Sequence, residues 1–308
     1  MATTSRLDPV AILMGMTFAL IWSSAFTSAR IIVAEAPPLT ALALRFTLAG
    51  ALAVILARVL GQSWRLTRGQ WRATLIFGVF QNIAYLGLNF VAMQTVEASL
   101  AAIIASSLPL LVAMVGWLRG TDRLAPLGVA GLAAGFVGVA LIMGARLSGG
   151  APPGGVALCI LGVLSLTIAT LAVRGASSGG NVLMVVGLQM LVGGAGLWLI
   201  ALPLETWEVT LSWRLGAAFL YTLLMPGLVA TLIWFRLVGR IGPTRAATFH
   251  FLNPAFGVAI AAVLLGEALR TLDIVGVAVI TAGILAVQLA RQPQAVDSLH
   301  GDGAGHAR

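Results

Sequence analysis

The sequence predicts an all-α integral membrane protein with ten transmembrane helices arranged as a 5+5 inverted repeat. Three observations predict it. First, the chain is 59% hydrophobic and only 9% charged, with mean hydropathy +1.02, whereas a soluble domain carries roughly 25% charged residues. Second, ten apolar segments each approach the ~20 residues that cross ~30 Å of hydrocarbon. Third, the chain resembles itself at an offset of 145 positions: Ser106-Ser107-Leu108-Pro109 aligns with Phe251-Leu252-Asn253-Pro254. The same offset pairs Asp122 with Glu267, Gly131 with Gly276, Gly138 with Gly283 and Arg146 with Arg291. Two copies that each hold an odd number of spans must face opposite ways, and carriers of this architecture bind substrate at the repeat interface.

In order, the spans are expected near residues 10–29, 39–60, 73–94, 98–118, 126–146, 154–173, 181–203, 215–238, 244–265 and 271–290. The first follows Arg6 and resembles a signal peptide, but its apolar core is long and more spans follow, so it reads as an uncleaved helix. The connections are short and several carry Pro, Gly or Ser, as at Pro37-Pro38 and Ser177 to Gly180. Ser148 to Gly155 links a first five-helix repeat, 10–147, to a second, 154–291. The polar, Gly-rich residues 292–308 read as a disordered cytoplasmic tail.

All eighteen basic side chains are arginine. Without lysine there is no Walker A loop and no Schiff-base enzyme. The net charge of +8 does not indicate a nucleic-acid partner, because the arginines lie between apolar runs and form no basic domain. They set topology instead. With the N-terminus inside, thirteen arginines (Arg6, Arg58, Arg65, Arg68, Arg72, Arg119, Arg123, Arg174, Arg236, Arg240, Arg245, Arg291, Arg308) are cytoplasmic. Five (Arg30, Arg45, Arg146, Arg214, Arg270) are outside or at its margin. Both termini are therefore expected in the cytoplasm of a bacterial cell, with the chain in the inner membrane. Trp64, Trp71, Trp117, Trp207 and Trp213 fall near span ends as interfacial anchors. The single Cys159 reads as a packing residue in an apolar run.

Several local motifs bear a family resemblance. Leu20-Ile21-Trp22-Ser23-Ser24-Ala25-Phe26 resembles a first-helix aromatic-small-small signature, and Leu44-Arg45-Phe46 a second-helix Arg-Phe. Ala98 to Pro109 and Pro243 to Pro254 resemble fourth and ninth helices with a central proline. Leu265-Gly266-Glu267, with Gly276 and Gly283 after it, resembles the close of the second repeat; the first repeat departs from it with Thr121-Asp122. In this order and duplicated, they resemble the EamA-like branch of the drug/metabolite transporter superfamily over residues 10–291, with the aromatic amino acid exporters as one candidate branch. The resemblance implies a carrier of small metabolites, commonly amino acids or related compounds, often moved outward.

The polar residues within spans are the candidate substrate-binding set. Asn82, Tyr85 and Asn89 share one face of the third span, with Gln81 beside them. Facing lipid would be costly, so this face looks onto a wet cavity or a neighbouring helix. Ser106 and Ser107 precede Pro109; His250 and Asn253 precede Pro254. A mid-helix proline frees the carbonyl four residues earlier, here Ala105 and His250, and matched breaks in two halves point to a binding site and its gating. A kink that only shapes packing is the alternative at both prolines. Trp22, Ser23 and Ser24, with Thr167 and Thr170, are further candidates, as are Tyr221, Thr231 and Trp234, the last standing where the first repeat has Asn89. Packing alone explains these equally well. Arg45 either snorkels to the outer surface, pairs with a carboxylate such as Glu35, or meets an anionic substrate group. Gly131, Gly135, Gly138, Gly276 and Gly283 suit close helix packing, within the chain or between copies.

No Asp or Glu falls in mid-span, and His250 is the one histidine in a span. Facilitated diffusion of a neutral or zwitterionic compound is expected, with proton-coupled efflux through His250 as the alternative. No cofactor or metal is expected; the partners are a small-molecule substrate and lipid, and the oligomeric state, monomer included, stays open. An intramembrane enzyme would need carboxylate clusters or a nucleophile turn, and neither is present. A non-transporting receptor or assembly subunit would explain ten helices but not the duplicated proline breaks.

Overall fold

A computed structural model describes residues 8–120, 124–172, 180–241, 246 and 249–290. Thr121, Asp122, Arg123, Arg174, Ser177, Pro243, Arg245 and the tail from Arg291 lie outside these, as does Arg6. The described residues are helical: α1 Pro9–Glu35, α2 Pro38–Val59, α3 Arg68–Ala92, α4 Ala98–Leu118, α5 Pro126–Ser148, α6 Pro153–Ala172, α7 Val182–Leu204, α8 (Trp213–Leu224, Met225–Val229 and Ala230–Ile241), α9 Phe249–Leu265 and α10 Thr271–Ala290. Among the described residues, nine are long and apolar enough to cross a membrane, and α9 is a shorter apolar helix. Its expected span begins at residue 244, partly outside the described set.

The chain is inside-out relative to a soluble domain. Leu13, Ile55, Leu199 and Val263 point outward, with Val263 81% exposed, while Ser23, Thr27, Asn82, Asn89 and Thr222 are buried. Apolar side chains can face outward at no cost only in lipid, whereas buried polar groups must find partners within the bundle.

Three of the helix pairs join elements that the 145-residue offset aligns. α2 packs along α7, α5 along α10 and α4 against α9; α3 lies on α6 and α7, and α1 on α8 and α9. The glycines set how close they come. A Cβ on Gly131 would lie 2.8 Å from the carbonyl oxygen of Gly283, and one on Gly283 would lie 2.6 Å from that of Gly131. The α5 GxxxG is therefore buried within the chain against α10 rather than presented to a second copy. Gly50 of α2 and Gly187 of α7 meet the same way, with Cβ-to-carbonyl distances of 2.9 and 3.0 Å.

Carboxylates staple one end of the bundle. The Glu205 carboxylate accepts from the amides of Leu39 (2.8 Å) and Thr40 (2.7 Å), capping α2 from the end of α7. Glu267 accepts from Ala98 (2.7 Å) and Ser99 (3.0 Å), capping α4 from the end of α9. Each fills two of the four orphan donors of a helix start and complements its dipole. Gly266, at φ +69°, provides the left-handed turn that swings Glu267 into place. Arg146 forks onto the buried Asp273 (3.1 and 2.7 Å) and also pairs with Glu97. At the opposite end Asp8 caps α1 and pairs with Arg240 of α8.

Candidate functional site

Among the described residues, two helices carry π-helical turns in mid-span. α3 is a π-helix over Gly78–Tyr85, and α8 over Met225–Val229. At the 145-residue offset, the second maps onto residues 80–84, inside the first. The Pro226 ring cannot donate to the carbonyl of Thr222, which relaxes the α8 ladder at that point; α3 has no proline there. Such bulges widen a helix and re-aim its side chains, and they recur at functional sites.

Between these distorted segments lies a cavity of about 80 Å³, bounded by α1, α2, α3, α7 and α8. α1 contributes Trp22, Ala25, Phe26 and Ala29, and α2 contributes Arg45 and Phe46. From α3 come Gln81, Asn82, Tyr85, Leu86, Asn89, Phe90 and Met93; from α7, Gln189 and Met190; from α8, Thr222, Pro226, Gly227 and Thr231. The wall is thus aromatic and amide-rich, with one cation and no carboxylate among the described lining residues. Asn82 donates to the backbone carbonyl of Gln189 (2.8 Å), tying α3 to α7. Asn89 donates to the carbonyl of Tyr85 (2.8 Å), and its Oδ1 is buried without a partner.

The expected residues divide into three groups. Trp22, Asn82, Tyr85 and Asn89 share the cavity wall. Trp234, His250 and Asn253 form a second cluster with Phe18, toward the Asp8 end. Phe18 lies 4.8 Å from Trp234 and meets His250 edge-on at 5.4 Å, between ring centroids. His250 Nδ1 is 3.0 Å from Asn253 Nδ2, and Ser23 donates to the Asn253 carbonyl (3.3 Å). Phe18 also stacks toward Trp22 (5.7 Å), so the cluster abuts the cavity without lining it. The third group serves its own helices. Ser106 and Ser107 donate back to the carbonyls of Ala102 and Ile104, both at 2.7 Å, around the break before Pro109. Thr167 and Thr170 back-bond in α6. Ser24 donates to Ile21 (2.7 Å), which leaves it to accept from Tyr221 of α8 at 2.6 Å. Pro109 and Pro254 each open a new α-helical stretch after a break, Leu108–Leu118 and Asn253–Leu265.

Of the three partners open to Arg45 from sequence, it takes neither solvent nor a described carboxylate. Its side chain is only 6% exposed, and no described residue hydrogen-bonds or ion-pairs with it. Glu35 instead receives the Ser212 hydroxyl. Gln189 and Thr222 had no place in the sequence reading; Gln189 is the lone amide within the apolar run of α7, which is the signal that marks it.

At the Glu35 end a second cavity of about 400 Å³ opens among Arg30, Ile31, Ala34, Glu35, Glu97, Arg214 and residues 265–268. Arg30, in the wall of this outer cavity, donates to the carbonyl of Met93, a wall residue of the inner cavity.

Known proteins resemble the chain along nearly its whole length. The uncharacterized transporter YvbV of Bacillus subtilis (strain 168) is 25% identical over 279 residues, 89% of this chain and 90% of that protein. The uncharacterized inner membrane transporter YedA of Escherichia coli (strain K12) is 27% identical over 291 residues, 91% of each. The aromatic amino acid exporter YddG of Ancylobacter novellus is 29% identical over 139 residues, 45% of this chain and 48% of the exporter. A solved crystal structure of 23% identity shares the fold, with TM-score 0.66 over 92% of this chain and 98% of the other. The EamA-like transporter family matches residues 9–144 and again 153–289. The chain therefore belongs to the EamA-like transporter family, as a membrane transporter and not an enzyme.

Proposed function

We propose that the protein is an alternating-access carrier for amino acids or related zwitterionic and aromatic metabolites, working by facilitated diffusion and in the direction of export. The observation that carries this reading is the cavity between the two π-distorted segments. Irregular backbone at membrane depth is tolerated where it lines a cavity, and here both π-helical segments contribute wall residues: Gln81, Asn82 and Tyr85 from one, Pro226 and Gly227 from the other. The 145-residue offset between them fits two repeats of opposite orientation, residues 10–147 and 154–291, with the site at their interface. In this reading both termini are cytoplasmic, the Glu35 end faces outward, and the ring cluster with the Asp8–Arg240 pair closes the cytoplasmic side. The half-length likeness to an aromatic amino acid exporter supports the substrate class, as do Trp22, Phe26, Phe46 and Phe90 in the wall.

The absence of a carboxylate from the described lining residues supports uncoupled transport, since a proton-driven carrier places a titrating group on its path. Purified protein in liposomes is expected to equilibrate labelled phenylalanine across the membrane without an ion gradient. Accumulation driven by a pH gradient and abolished by His250→Ala would instead make His250 the coupling residue. No flux of any of the twenty amino acids would sink the substrate class.

A further inference from the structure

The inner cavity holds two unmatched polar groups of opposite kind. The first is Arg45, in the second turn of α2. Its Nε is buried without a partner, and it approaches the α8 distortion, with Nη2 3.8 Å from where a Cβ on Gly227 would stand. The Phe46 ring lies 5.1 Å from the guanidinium carbon, but a ring quadrupole offsets only part of the lost hydration of a buried cation. The nearby carboxylates are committed elsewhere: Glu205 caps α2, Glu35 takes Ser212, and Glu97 and Asp273 hold Arg146.

The second is Asn89. Its amide must put Nδ2 toward the Tyr85 carbonyl, because a carbonyl only accepts. That fixes Oδ1 as the unpaired end, buried and acceptor-only. Arg45, with its planar cationic fork, and Asn89, with its amide acceptor, thus belong to the same cavity wall. Each is costly while unpaired, and a single ligand that carries a carboxylate and an ammonium on neighbouring atoms matches both.

We propose that Arg45 receives the carboxylate of the transported substrate and Asn89 Oδ1 its ammonium, so that a free carboxylate is required for binding. This rests on the cavity being the transport site, and it adds a specificity-determining pair to that reading. Amines and amides of the same shape would leave Arg45 buried and unpaired, which is how a site rejects an isostere lacking one polar group.

The test is equilibrium binding to purified full-length protein with four probes: L-phenylalanine, L-phenylalaninamide, 3-phenylpropionate and phenethylamine. Phenylalanine is expected to bind about 30-fold or more tightly than its amide, as removal of one partner from a buried charge pair predicts. Arg45→Gln should bring phenylalanine down to the level of the amide. Asn89→Ala should weaken phenylalanine while leaving 3-phenylpropionate, which has no ammonium, unchanged. If Arg45→Gln does not fold, the probe series on the unaltered protein still decides. Equal binding of phenylalanine and its amide, or no binding by either carboxylate, overturns the assignment. Carboxylate-dependent binding with no flux in liposomes would uphold the Arg45–Asn89 pair and sink the carrier reading, so the two failures are distinguishable.

Discussion

Asn89 and Asn253 make the sharpest comparison between single residues. Both are buried amides with an unpaired Oδ1, yet one lines the cavity and the other bonds His250 in the ring cluster. The side-chain hydrogen bonds at stake lie within one helix, Asn89 to Tyr85 in α3 and Asn253 to His250 in α9, so either alanine variant should remain folded. Asn89→Ala is expected to slow phenylalanine flux about tenfold, the equivalent of roughly one charge-assisted hydrogen bond. Asn253→Ala should leave substrate affinity unchanged; an equal loss would extend the site past Trp22 to the ring cluster. The third-span stripe was legible from sequence because its 3-4 spacing defines a face whatever the neighbours are. What that face meets was not legible: the same spacing serves a cavity wall and a packed helix. Arg45 was ambiguous for the same reason. Its depth in α2 is readable, but the commitment of Glu205, Glu35 and Glu97 to other partners is a property of the assembled bundle.

Among the elements, the α5–α10 pair carries the closest backbone contact at the predicted glycines. A methyl group at Gly283 would sit 2.6 Å from a carbonyl oxygen and 2.8 Å from the Gly135 nitrogen, both backbone and unable to yield cheaply. Gly283→Ala is expected to destabilise the fold by about 1–3 kcal/mol, the usual cost of overpacking, read as a lower midpoint in thermal unfolding in detergent; an unchanged midpoint would contradict the packing. The α1 end offers a pH-dependent counterpart. The Arg240 hydrogen bond, ahead of its other causes, holds the Asp8 carboxylate below its ordinary value of 3.8. A lowered folded-state value stabilises the protein above pH 3.8, and that contribution disappears as the pH falls through the lowered value. Asp8→Asn should flatten this acid limb of stability, and an unaltered limb would show the pair contributes nothing. Sequence marked the glycine stripe and the proline breaks, because both act through local backbone chemistry. It did not mark the π segments: Gly78–Tyr85, which packs against α6 and α7, has no proline to signal it.

For the whole molecule, the spans and their number near ten followed from hydropathy, whereas the packing of α2 along α7 and α5 along α10 is a property of the folded bundle. So is the capping of α2 by Glu205 and of α4 by Glu267, because nothing local in sequence says which helix start a distant carboxylate will reach. The topology is tested by single cysteines in a Cys159→Ser background. A cysteine replacing Ser148 should react with an impermeant reagent from outside the cell, and one replacing Ser63 only from inside. Outside labelling at Ser63 would invert the molecule.

The central claim is that the cavity between the two distorted helices is the path of transport, reached in turn from each side. Thr231 of α8 lines that cavity and is partly buried. The direct measurement is modification of Thr231→Cys, in the Cys159→Ser background, by a small polar thiol reagent in right-side-out and inside-out vesicles. The account predicts reaction from both sides, protection by phenylalanine and loss of flux once the cysteine is modified. Flux that persists after complete modification, or a cysteine that reacts from neither side, would contradict it.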